Sequence, residues 1–392
     1  MRKHLLETFD DIYILDLHGN SKKRETCPDG SKDENVFDIM QGVSINIFVR
    51  KNKEKNGLGK VHHTDLYGTR EKKFEALTKG SIKTVNWDIL DYKEPYYFFV
   101  PKDFELIEEY HSFFQITDLL KVYGPGVKTE RDKICIKDNL DELKEIINNF
   151  YNLSEQELIR KYSLYDSRDW KVKKAKKDVI SNYTKSLYYK IQYRPFDYKW
   201  IWYSGKSKGF VGTPGYKIGQ NLLQENIALI TSRTVYGNYD WNDIFITKYL
   251  VEFGIMATRI GNTAPVLPLY LYSSDGSKTP NLNQEIVDKI EDIVGKTTPE
   301  NIFDYIYAVL HSPKYREKYK EFLKIDFPRV PYPKDRESFK KLIKIGKELR
   351  ELHLMESPKL DKNDISFPVS GTKEVTKVIY KDNKVYINDE QY

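Results

Sequence analysis

The sequence predicts a mixed α+β protein, and three observations support this fold class. Short apolar or alternating runs, such as DIYILDL and GVSINIFVRK, are typical of strands. A long aromatic stretch over 188–275 is punctuated by glycine and proline, as a series of strands and turns would be. Amphipathic runs with recognisable amino-terminal caps lie on both sides of that stretch, so we expect helices to flank a β-rich middle region.

The first 66 residues predict a short helix followed by strands. Residues 1–9 are amphipathic, and 11–17 are apolar enough for a buried strand. A charged, turn-rich loop over 20–34 separates this strand from a second one, and KVHHTDL is a third candidate. Such an order is typical of the end of an α/β sheet. The apolar residues that alternate in the second strand are Val43, Ile45, Ile47 and Val49.

Residues 69–79 predict a helical connector to the next region. VNWDIL and PYYFFVP, which follow it, have the aromatic composition of strands. Asp138 is predicted to open a helix, and Ser154 with Glu157 has the spacing of a capping box for the next one. The chain therefore returns to helices before the β-rich region begins.

The last hundred residues predict three helices and a hairpin. A residue with a capping side chain followed by proline is a frequent helix start, and it occurs twice. An aspartate precedes a third amphipathic run, and an Asp-Asn pair between alternating residues predicts a tight hairpin turn. The positions are Thr298-Pro299, Ser312-Pro313, Asp335 and Asp382-Asn383.

Composition excludes several classes of protein. The chain has 392 residues, enough for two or three domains, and a net charge of +6 that permits nucleic-acid binding without requiring it. Cys27 and Cys135 lie far apart and no CxxC occurs, which argues against a disulfide framework and a cysteine zinc site. No apolar run reaches membrane-spanning length and no signal peptide is evident, so we expect a cytoplasmic protein with no membrane partner.

No self-sufficient active site is visible in the sequence. It has no GxGxxG or GxxxxGK[ST] loop, no HExxH and no GxSxG. His62 and His63 are adjacent, so on a strand they point to opposite faces and cannot share a metal ion, and we expect both to be solvated. The basic run 168–178 predicts a solvated helix face. We therefore predict no catalytic residue, no metal ligand and no cofactor-binding residue.

The segment FDDIYILDLHGNSKKRETCPDGSKDENVFDIMQGVSINIFVRK, residues 9–51, resembles the end of the methyltransferase domain in Type ISP restriction–modification enzymes and their adenine-methyltransferase relatives. Further similar segments follow in the same order and resemble the target-recognition region of that family. Together they cover nearly the whole chain. They are DLYGTREKKFEAL, PYYFFVP, GVKTERD, YRPFDYKWIWYS and IFDYIYAVLHSPKYREKYKEFLKIDFPRVPYP.

In that family a nuclease, a helicase-like ATPase, an adenine-N6 methyltransferase and a target-recognition domain follow one another. The resemblance therefore implies S-adenosylmethionine, and ATP with Mg²⁺, as cofactors of the full-length enzyme. The family's glycine-bearing cofactor loop and Asn-Pro-Pro-Tyr tetrad do not occur here, and no two prolines are adjacent. We therefore expect a C-terminal fragment that binds no cofactor itself and has the missing N-terminal methyltransferase, helicase and nuclease portion as a partner.

The resemblance also implies a division of the chain into four segments. Residues 1–66 would be the C-terminal part of an incomplete S-adenosylmethionine-dependent methyltransferase sheet, and 67–84 a helical connector. Residues 85–334 would be a mixed α+β target-recognition domain. Residues 335–392 would be a C-terminal helix and hairpin, apparently truncated.

Three polar loops are candidates for contact with double-stranded DNA. In YGPGVKTERD, residues 123–132, the glycines would let the backbone approach a phosphate, although a mobile surface loop is the alternative. GKSKGFVG, residues 205–212, is basic, and SRTVYGNYDWND, residues 232–243, offers donors and a stacking ring or is only a long polar hairpin loop. The candidate residues are Lys128, Thr129, Arg131, Lys206, Lys208, Ser232, Arg233, Tyr236 and Asn238.

The expected function is DNA sequence recognition within an enzyme that methylates adenine N6 and cleaves unmodified DNA. A stand-alone, non-catalytic nucleic-acid-binding protein and a complete small enzyme of another kind remain as alternatives. YRPFDYKWIWY, by contrast, is expected to be structural, with an Arg194–Asp197 ion pair across the turn at Pro195 and its aromatic residues in the core.

Overall fold

The computed structural model describes residues 1–21, 25–51, 57–235, 240–256, 263–362 and 366–392. Short 3₁₀ helices occur at Gln220–Leu222 and Pro358–Asp361. The α-helices are α1 Arg2–Thr8, α2 Arg70–Lys79, α3 Ile107–His111, α4 Ile116–Leu119, α5 Asp132–Cys135, α6 Leu140–Asn152, α7 Glu155–Tyr162, α8 Val172–Asn182, α9 Tyr216–Gly219, α10 Gln284–Val294, α11 Pro299–His311, α12 Pro313–Lys318, α13 Lys320–Leu323 and α14 Arg336–His353. The strands are β1 Asp11–Asp16, β2 Ser44–Val49, β3 Lys60–Asp65, β4 Asp88–Ile89, β5 Phe114–Gln115, β6 Gly124–Pro125, β7 Ile136–Lys137, β8 Tyr188–Arg194, β9 Asp197–Trp202, β10 Ala228–Thr231, β11 Ile244–Thr247, β12 Leu250–Val251, β13 Pro265–Pro268, β14 Tyr270–Tyr272, β15 Lys278–Pro280, β16 Arg329–Val330, β17 Ile379–Lys381 and β18 Lys384–Tyr386.

The predicted mixed α+β fold class is confirmed, and the predicted N-terminal helix and three strands are all present. They form a sheet of order β2-β1-β3-β4, in which β1 pairs antiparallel with β2 and parallel with β3. Because β2 lies at the edge, Ile45 and Phe48 stay exposed. The face that carries Ile12, Ile14 and Val61 packs against Leu6 and Tyr97 and forms a small core.

A buried ion pair fixes the loop after β1. Lys73, on α2, extends its ammonium to Asp33 at 2.7 Å, and both side chains are fully buried. The same ammonium donates to the carbonyl oxygens of Leu17 and Glu34, each at 2.7 Å. The loop that the sequence predicts to be charged and turn-rich is therefore attached to α2 at Asp33 and Glu34.

A second sheet, of order β11-β10-β13-β6, lies between the two larger cores of the molecule. Along β10, Leu229 belongs to the first core, whereas Ala228 and Ile230 belong to the second. Such burial on both faces requires the continuous apolar run IALI, residues 227–230, because neither face can carry a polar side chain without a partner.

The first core consists mainly of helices, and the second combines helices with a hairpin. α10, α11 and α14 supply the first core. α6 and α8 pack on β8 and β9 in the second, and β12 and β7 extend this hairpin to a sheet of order β12-β8-β9-β7. Three further antiparallel pairs are β14–β15, β16–β5 and β17–β18.

Most predicted helix starts are confirmed. Ser154 and Glu157 form both hydrogen bonds of the capping box, and Thr298, Ser312 and Asp335 each cap a helix. The predicted start at Asp138 is one residue early, because the side chain of Asn139 caps α6. The hairpin turn is confirmed, with Asp382 and Asn383 both in the left-handed region.

PYYFFVP was expected to be a strand, and this prediction is wrong. Pro95 and Pro101 have no N–H to donate to a neighbouring strand, and Tyr97 adopts a left-handed φ of 47°. The rings instead pack into adjacent clusters, with Tyr97 in the N-terminal core and Tyr96 against Phe98.

The expected ion pair between Arg194 and Asp197 is also wrong. The two residues pair through the backbone across the turn, but the guanidinium of Arg194 extends to Glu252, at 2.7 Å. Trp202 is buried as expected, whereas Phe196, at the turn itself, is half-exposed.

His62 and His63 do point to opposite faces of β3, but neither is solvated. His62 stacks on Tyr13 with ring centroids 4.3 Å apart, and its Nε2 lies 2.9 Å from Asp11 Oδ1. His63 is 2% exposed. The expectation fails because β3 lies inside the sheet and is covered on both faces.

The basic run 168–178 contains the predicted exposed helix face, formed by Lys173, Lys174 and Lys177 on α8. Lys176 differs, since its ammonium donates to the carbonyls of Phe150, Tyr151 and Leu153 and so closes the end of α6. Across the described ranges, a helix with both the length and the apolarity of a membrane span is not found.

His311 ends α11 in a buried aromatic cluster. Its Nδ1 lies 2.9 Å from the carbonyl oxygen of Tyr307, whose hydroxyl is 2.5 Å from His353 Nδ1. Burial lowers the pKa of His311 from 6.5 to about 4, so the ring is neutral at pH 7.

This burial predicts a loss of stability in mild acid. The unfolded chain binds a proton at His311 near pH 6.5, whereas the folded chain resists it until about pH 4. The stability contributed by neutral His311 is therefore present above pH 6.5 and falls between these values. We expect His311→Asn to reduce the loss of unfolding free energy between pH 7 and pH 5 by about 2 kcal/mol, measured by urea denaturation. His4→Asn, at an exposed site on α1, is the control, and an unchanged pH dependence in His311→Asn would contradict the assignment.

Candidate nucleic-acid interface

Two of the three candidate loops lie side by side and share backbone hydrogen bonds. Lys128 and Thr213 exchange two such bonds, of 2.9 and 2.8 Å, and Gly212 donates to the carbonyl of Thr129. Val127 is held from the other side, because its N–H and carbonyl both bond to the chain around β12. Segments 123–132 and 205–213 therefore form one ordered surface.

The glycines of these segments allow close approach, but to the protein itself. A Cβ added to Gly126 would lie 2.4 Å from the carbonyl oxygen of Val251, and one on Gly212 would lie 2.7 Å from Glu130 Cγ. Gly124 faces Ile218 in the same way, at 2.9 Å. The requirement for glycine at 124 and 126 is thus explained by internal packing, without a phosphate.

Thr129 and Arg131 are largely engaged with the protein. Thr129 is 1% exposed, and its hydroxyl donates to Asp132 Oδ1. The guanidinium of Arg131 donates to the carbonyls of Glu130 and Tyr165, each at 2.6 Å, and lies 4.0 Å from the ring centroid of Tyr165. In this conformation Thr129 offers no accessible donor, and Arg131 offers only part of its guanidinium edge.

The 205–212 loop is anchored by a buried carboxylate. Asp178, on α8, is fully buried and accepts hydrogen bonds from Ser204 Oγ at 2.7 Å and from the Phe210 N–H at 2.9 Å. Gly209 lies against it so closely that a Cβ there would be 2.2 Å from the carboxylate. This anchor presents Lys206 and Lys208 to solvent in a defined loop.

Cations and carboxylates alternate across the surface that these loops form. Lys128 pairs with Glu130 at 2.6 Å, and Arg168 and Lys208 both pair with Asp169. Asp169 raises the pKa of the Arg168 guanidinium most, and Glu130 raises it to a smaller extent. Arg168 therefore interacts electrostatically with both carboxylates. We define the basic surface by its four cations, which exceed the two carboxylates by two charges: Lys128, Arg168, Lys206 and Lys208.

The third candidate segment leaves the same end of the central sheet. Val266 on β13 pairs with both Ile230 on β10 and Gly124 on β6, so β10 and β6 run in the same direction about 10 Å apart. Ser232, which follows β10, and segment 123–132, which contains β6, therefore lie at the same end of the sheet. All three segments are brought to this end of the sheet.

Ser232 and Arg233 differ in their accessibility. Ser232 is fully buried, whereas the Arg233 side chain is 68% exposed and pairs with Asp326 at 3.1 Å. Phe327 contacts both Arg233 and Tyr123, which links this segment to the first loop. The remaining two candidates of the segment, Tyr236 and Asn238, lie outside the described residues.

Sequence reasoning missed Arg168 and the anchor Asp178. Both lie in the run that was assigned to a solvated helix face, where charge alone does not distinguish an anchor from a solvated residue. The one signal available was the Ser-Gly-Lys-Ser-Lys-Gly composition of 204–209, whose polar loop needs an internal acceptor.

The family model of the Type ISP C-terminal specificity domain matches residues 118–392. The chain belongs to the Type ISP specificity domain family. The basic surface and all three candidate segments lie inside the matched range, whereas the N-terminal sheet precedes it. The predicted resemblance to Type ISP enzymes is confirmed at the level of this domain.

Three solved structures share the fold of this Type ISP specificity domain. The complex of DrdV with DNA has a TM-score of 0.63 and 23% identity, over 90% of this chain and 36% of that one. The ATP-dependent Type ISP restriction-modification enzyme LlaBIII bound to DNA has a TM-score of 0.67 and 22% identity, over 100% and 26%. A nuclease-deletion mutant of the Type ISP enzyme LlaGI, with a DNA substrate mimic, has a TM-score of 0.64 and 21% identity, over 100% and 37%.

The chain thus spans between 26% and 37% of the length of these solved chains. No curated protein matches it.

Proposed function

We propose that the chain recognises a DNA sequence as part of a Type ISP restriction–modification enzyme. The observation that carries this proposal is the specificity-domain match over residues 118–392, which contains the three candidate segments at one end of the central sheet. The structural relatives were solved with DNA or a DNA mimic, which supports the same ligand here. The basic surface supplies the long-range attraction to phosphates that such binding needs.

The pairing of these cations does not oppose the proposal. Lys128 and Lys208 are about half-exposed, whereas their partners Glu130 and Asp169 are mostly buried, so a phosphate can approach the exposed side of each ammonium while the ion pair persists. We propose that Lys128, Lys206, Lys208 and Arg233 contact the DNA backbone. Thr129 and Ser232, being buried, would support the loops instead of touching DNA, while Tyr236 and Asn238 remain candidates for base contacts.

We further propose that the recognised site is methylated at adenine N6, and cleaved when unmodified, by a methyltransferase, helicase and nuclease portion of the same enzyme. That portion would use S-adenosylmethionine, ATP and Mg²⁺ in the cytoplasm. The support is the resemblance of residues 9–51 to the end of a methyltransferase domain, together with the greater length of the structural relatives.

The chain alone is expected to catalyse neither reaction. The cofactor loop and the Asn-Pro-Pro-Tyr tetrad that the resemblance requires are not in its sequence. Incubation with labelled S-adenosylmethionine and plasmid DNA should transfer no label, and addition of ATP and Mg²⁺ should leave the plasmid intact. Label on the DNA after this incubation would overturn the assignment of catalysis to another portion.

Removal of the two exposed loop lysines should weaken DNA binding on every sequence. We expect the double change Lys206→Gln and Lys208→Gln to lower the slope of log K against log salt by about 2, about one for each lost phosphate contact. Fluorescence anisotropy with a random duplex pool between 50 and 200 mM salt measures this slope. Lys79→Gln, on α2, is the matched control, and an unchanged slope in the double variant would remove these lysines from the interface.

Arg131 is expected to position its loop. Arg131→Ala removes hydrogen bonds to two carbonyls, so we expect unfolding free energy to fall by about 1–3 kcal/mol and binding to weaken on all duplexes alike. Arg131→Lys should restore little of the unfolding free energy or of the DNA affinity, because a lysine cannot reproduce the contacts with two carbonyls and a ring. Binding to a duplex selected from a random pool, compared with a scrambled one, tests this. A loss of about 1–3 kcal/mol on the selected duplex alone would show that Arg131 reads a base.

A further inference from the structure

The ends of two parallel strands bring three metal-binding side chains together in the N-terminal sheet. Asp16 ends β1 and Asp65 ends β3, and the two residues are register partners. His63 precedes Asp65 by two positions and so lies on the same face of β3. One ligand atom from each of Asp16, His63 and Asp65 lies within 4.8 Å of the others.

His63 is the observation that points to a ligand. Its side chain is 3% exposed, its Nε2 has no hydrogen-bond partner, and Asp65 Oδ1 lies 4.0 Å away. A buried polar nitrogen without a partner costs about 1–3 kcal/mol, so such atoms are rare in stable proteins. A cation between Nε2 and the carboxylates would satisfy the nitrogen and both negative charges at once.

A cavity beside Asp16, one of the three residues, has room for water. A polar cavity of about 190 Å³ adjoins Asp16 and is lined also by His18, Asn20, Glu25 and Ser44. His18 Nε2 lies 2.8 Å from Asp65 Oδ1, and its Nδ1 lies 3.5 Å from Glu25. The carboxylate of Asp65 is therefore already oriented by a second imidazole.

We propose that Asp16, His63 and Asp65 bind one divalent transition-metal ion, with a water molecule from the cavity as a further ligand. Imidazole nitrogen combined with carboxylate oxygen suits Zn²⁺ and similar ions better than Mg²⁺ or Ca²⁺, which prefer oxygen alone. His18 positions Asp65, in the way that outer groups orient metal ligands. This site goes beyond DNA recognition, and it departs from the sequence prediction of no metal ligand.

The metal ion would act as a link between strands. Asp16 and Asp65 lie where β1 and β3 enter their loops, so a shared ion holds both strand ends together. Because Asp16 comes from β1 whereas His63 and Asp65 come from β3, the complete site exists only in the folded sheet, and binding should stabilise that sheet.

Zn²⁺ titration of the full chain, stripped of metal by a chelator, tests the proposal. Competition with a chromophoric chelator should reveal one equivalent of bound Zn²⁺. His63→Gln and Asp65→Asn should each weaken binding by at least about tenfold. His62→Gln is the matched control, since His62 points to the opposite face and should leave the affinity unchanged within about twofold. Mg²⁺ and Ca²⁺ should not displace the bound Zn²⁺ at equal concentration.

A loss of Zn²⁺ binding in these variants can be distinguished from misfolding and from a loss of DNA binding. Asp65 is partly exposed, so Asp65→Asn should keep the far-UV circular dichroism of the unchanged chain even if His63→Gln does not. Equal Zn²⁺ affinity in the unchanged chain and in Asp65→Asn would overturn the proposal, as would the absence of a stoichiometric site or an equal loss in His62→Gln. DNA affinity, measured on the same samples, reports independently on the specificity domain.

Discussion

The burial of β10 on both faces is the constraint on which the larger part of the structure depends. Leu229 points into a core of helices, and Ala228 and Ile230 point into a core that a hairpin shares with α6 and α8. A one-residue slip of this strand would exchange the two sets of side chains. Its register with β13, and that of β13 with β6, consequently determines where the three polar segments leave the sheet.

The sequence was sufficient where burial follows a simple period and insufficient where a charge is buried. β1, β10 and the capped helices were predictable because their apolar spacing and caps are local signals. Asp178, Lys73 and Arg131 were not, because each acts by contacting backbone or charge far away in the chain. In the printed sequence they cannot be distinguished from solvated residues.

The same limit explains the errors at the candidate interface. Gly124 and Gly126 suggested an approach by a phosphate, but the side chain of Ile218 and the backbone of Val251 already occupy that space. Arg194 pairs with Glu252 and not with Asp197, its expected partner across the turn. Burial raises the pKa of Glu252, and the guanidinium of Arg194 acts in the opposite direction by stabilising the carboxylate. In both cases a residue distant in the chain makes the contact that the local pattern had assigned to a ligand or to a neighbouring residue. Local patterns contain no information about such long-range contacts.

The loop after β1 shows how the two candidate sites depend on separate supports. Asp33 accepts hydrogen bonds from the N–H groups of Gly19 and Gly68 and also pairs with Lys73. Its carboxylate therefore connects the start of this loop, at Gly19, with α2 and the residues just before it. Removal of one partner from a buried pair of this kind strongly destabilises the fold, because the remaining charge is neither paired nor solvated. The pair therefore confines His18, next to Gly19, to a narrow range of positions beside Asp65. The basic surface relies in the same way on Asp178, in another core, so each site has its own buried carboxylate and a change at one need not disturb the other.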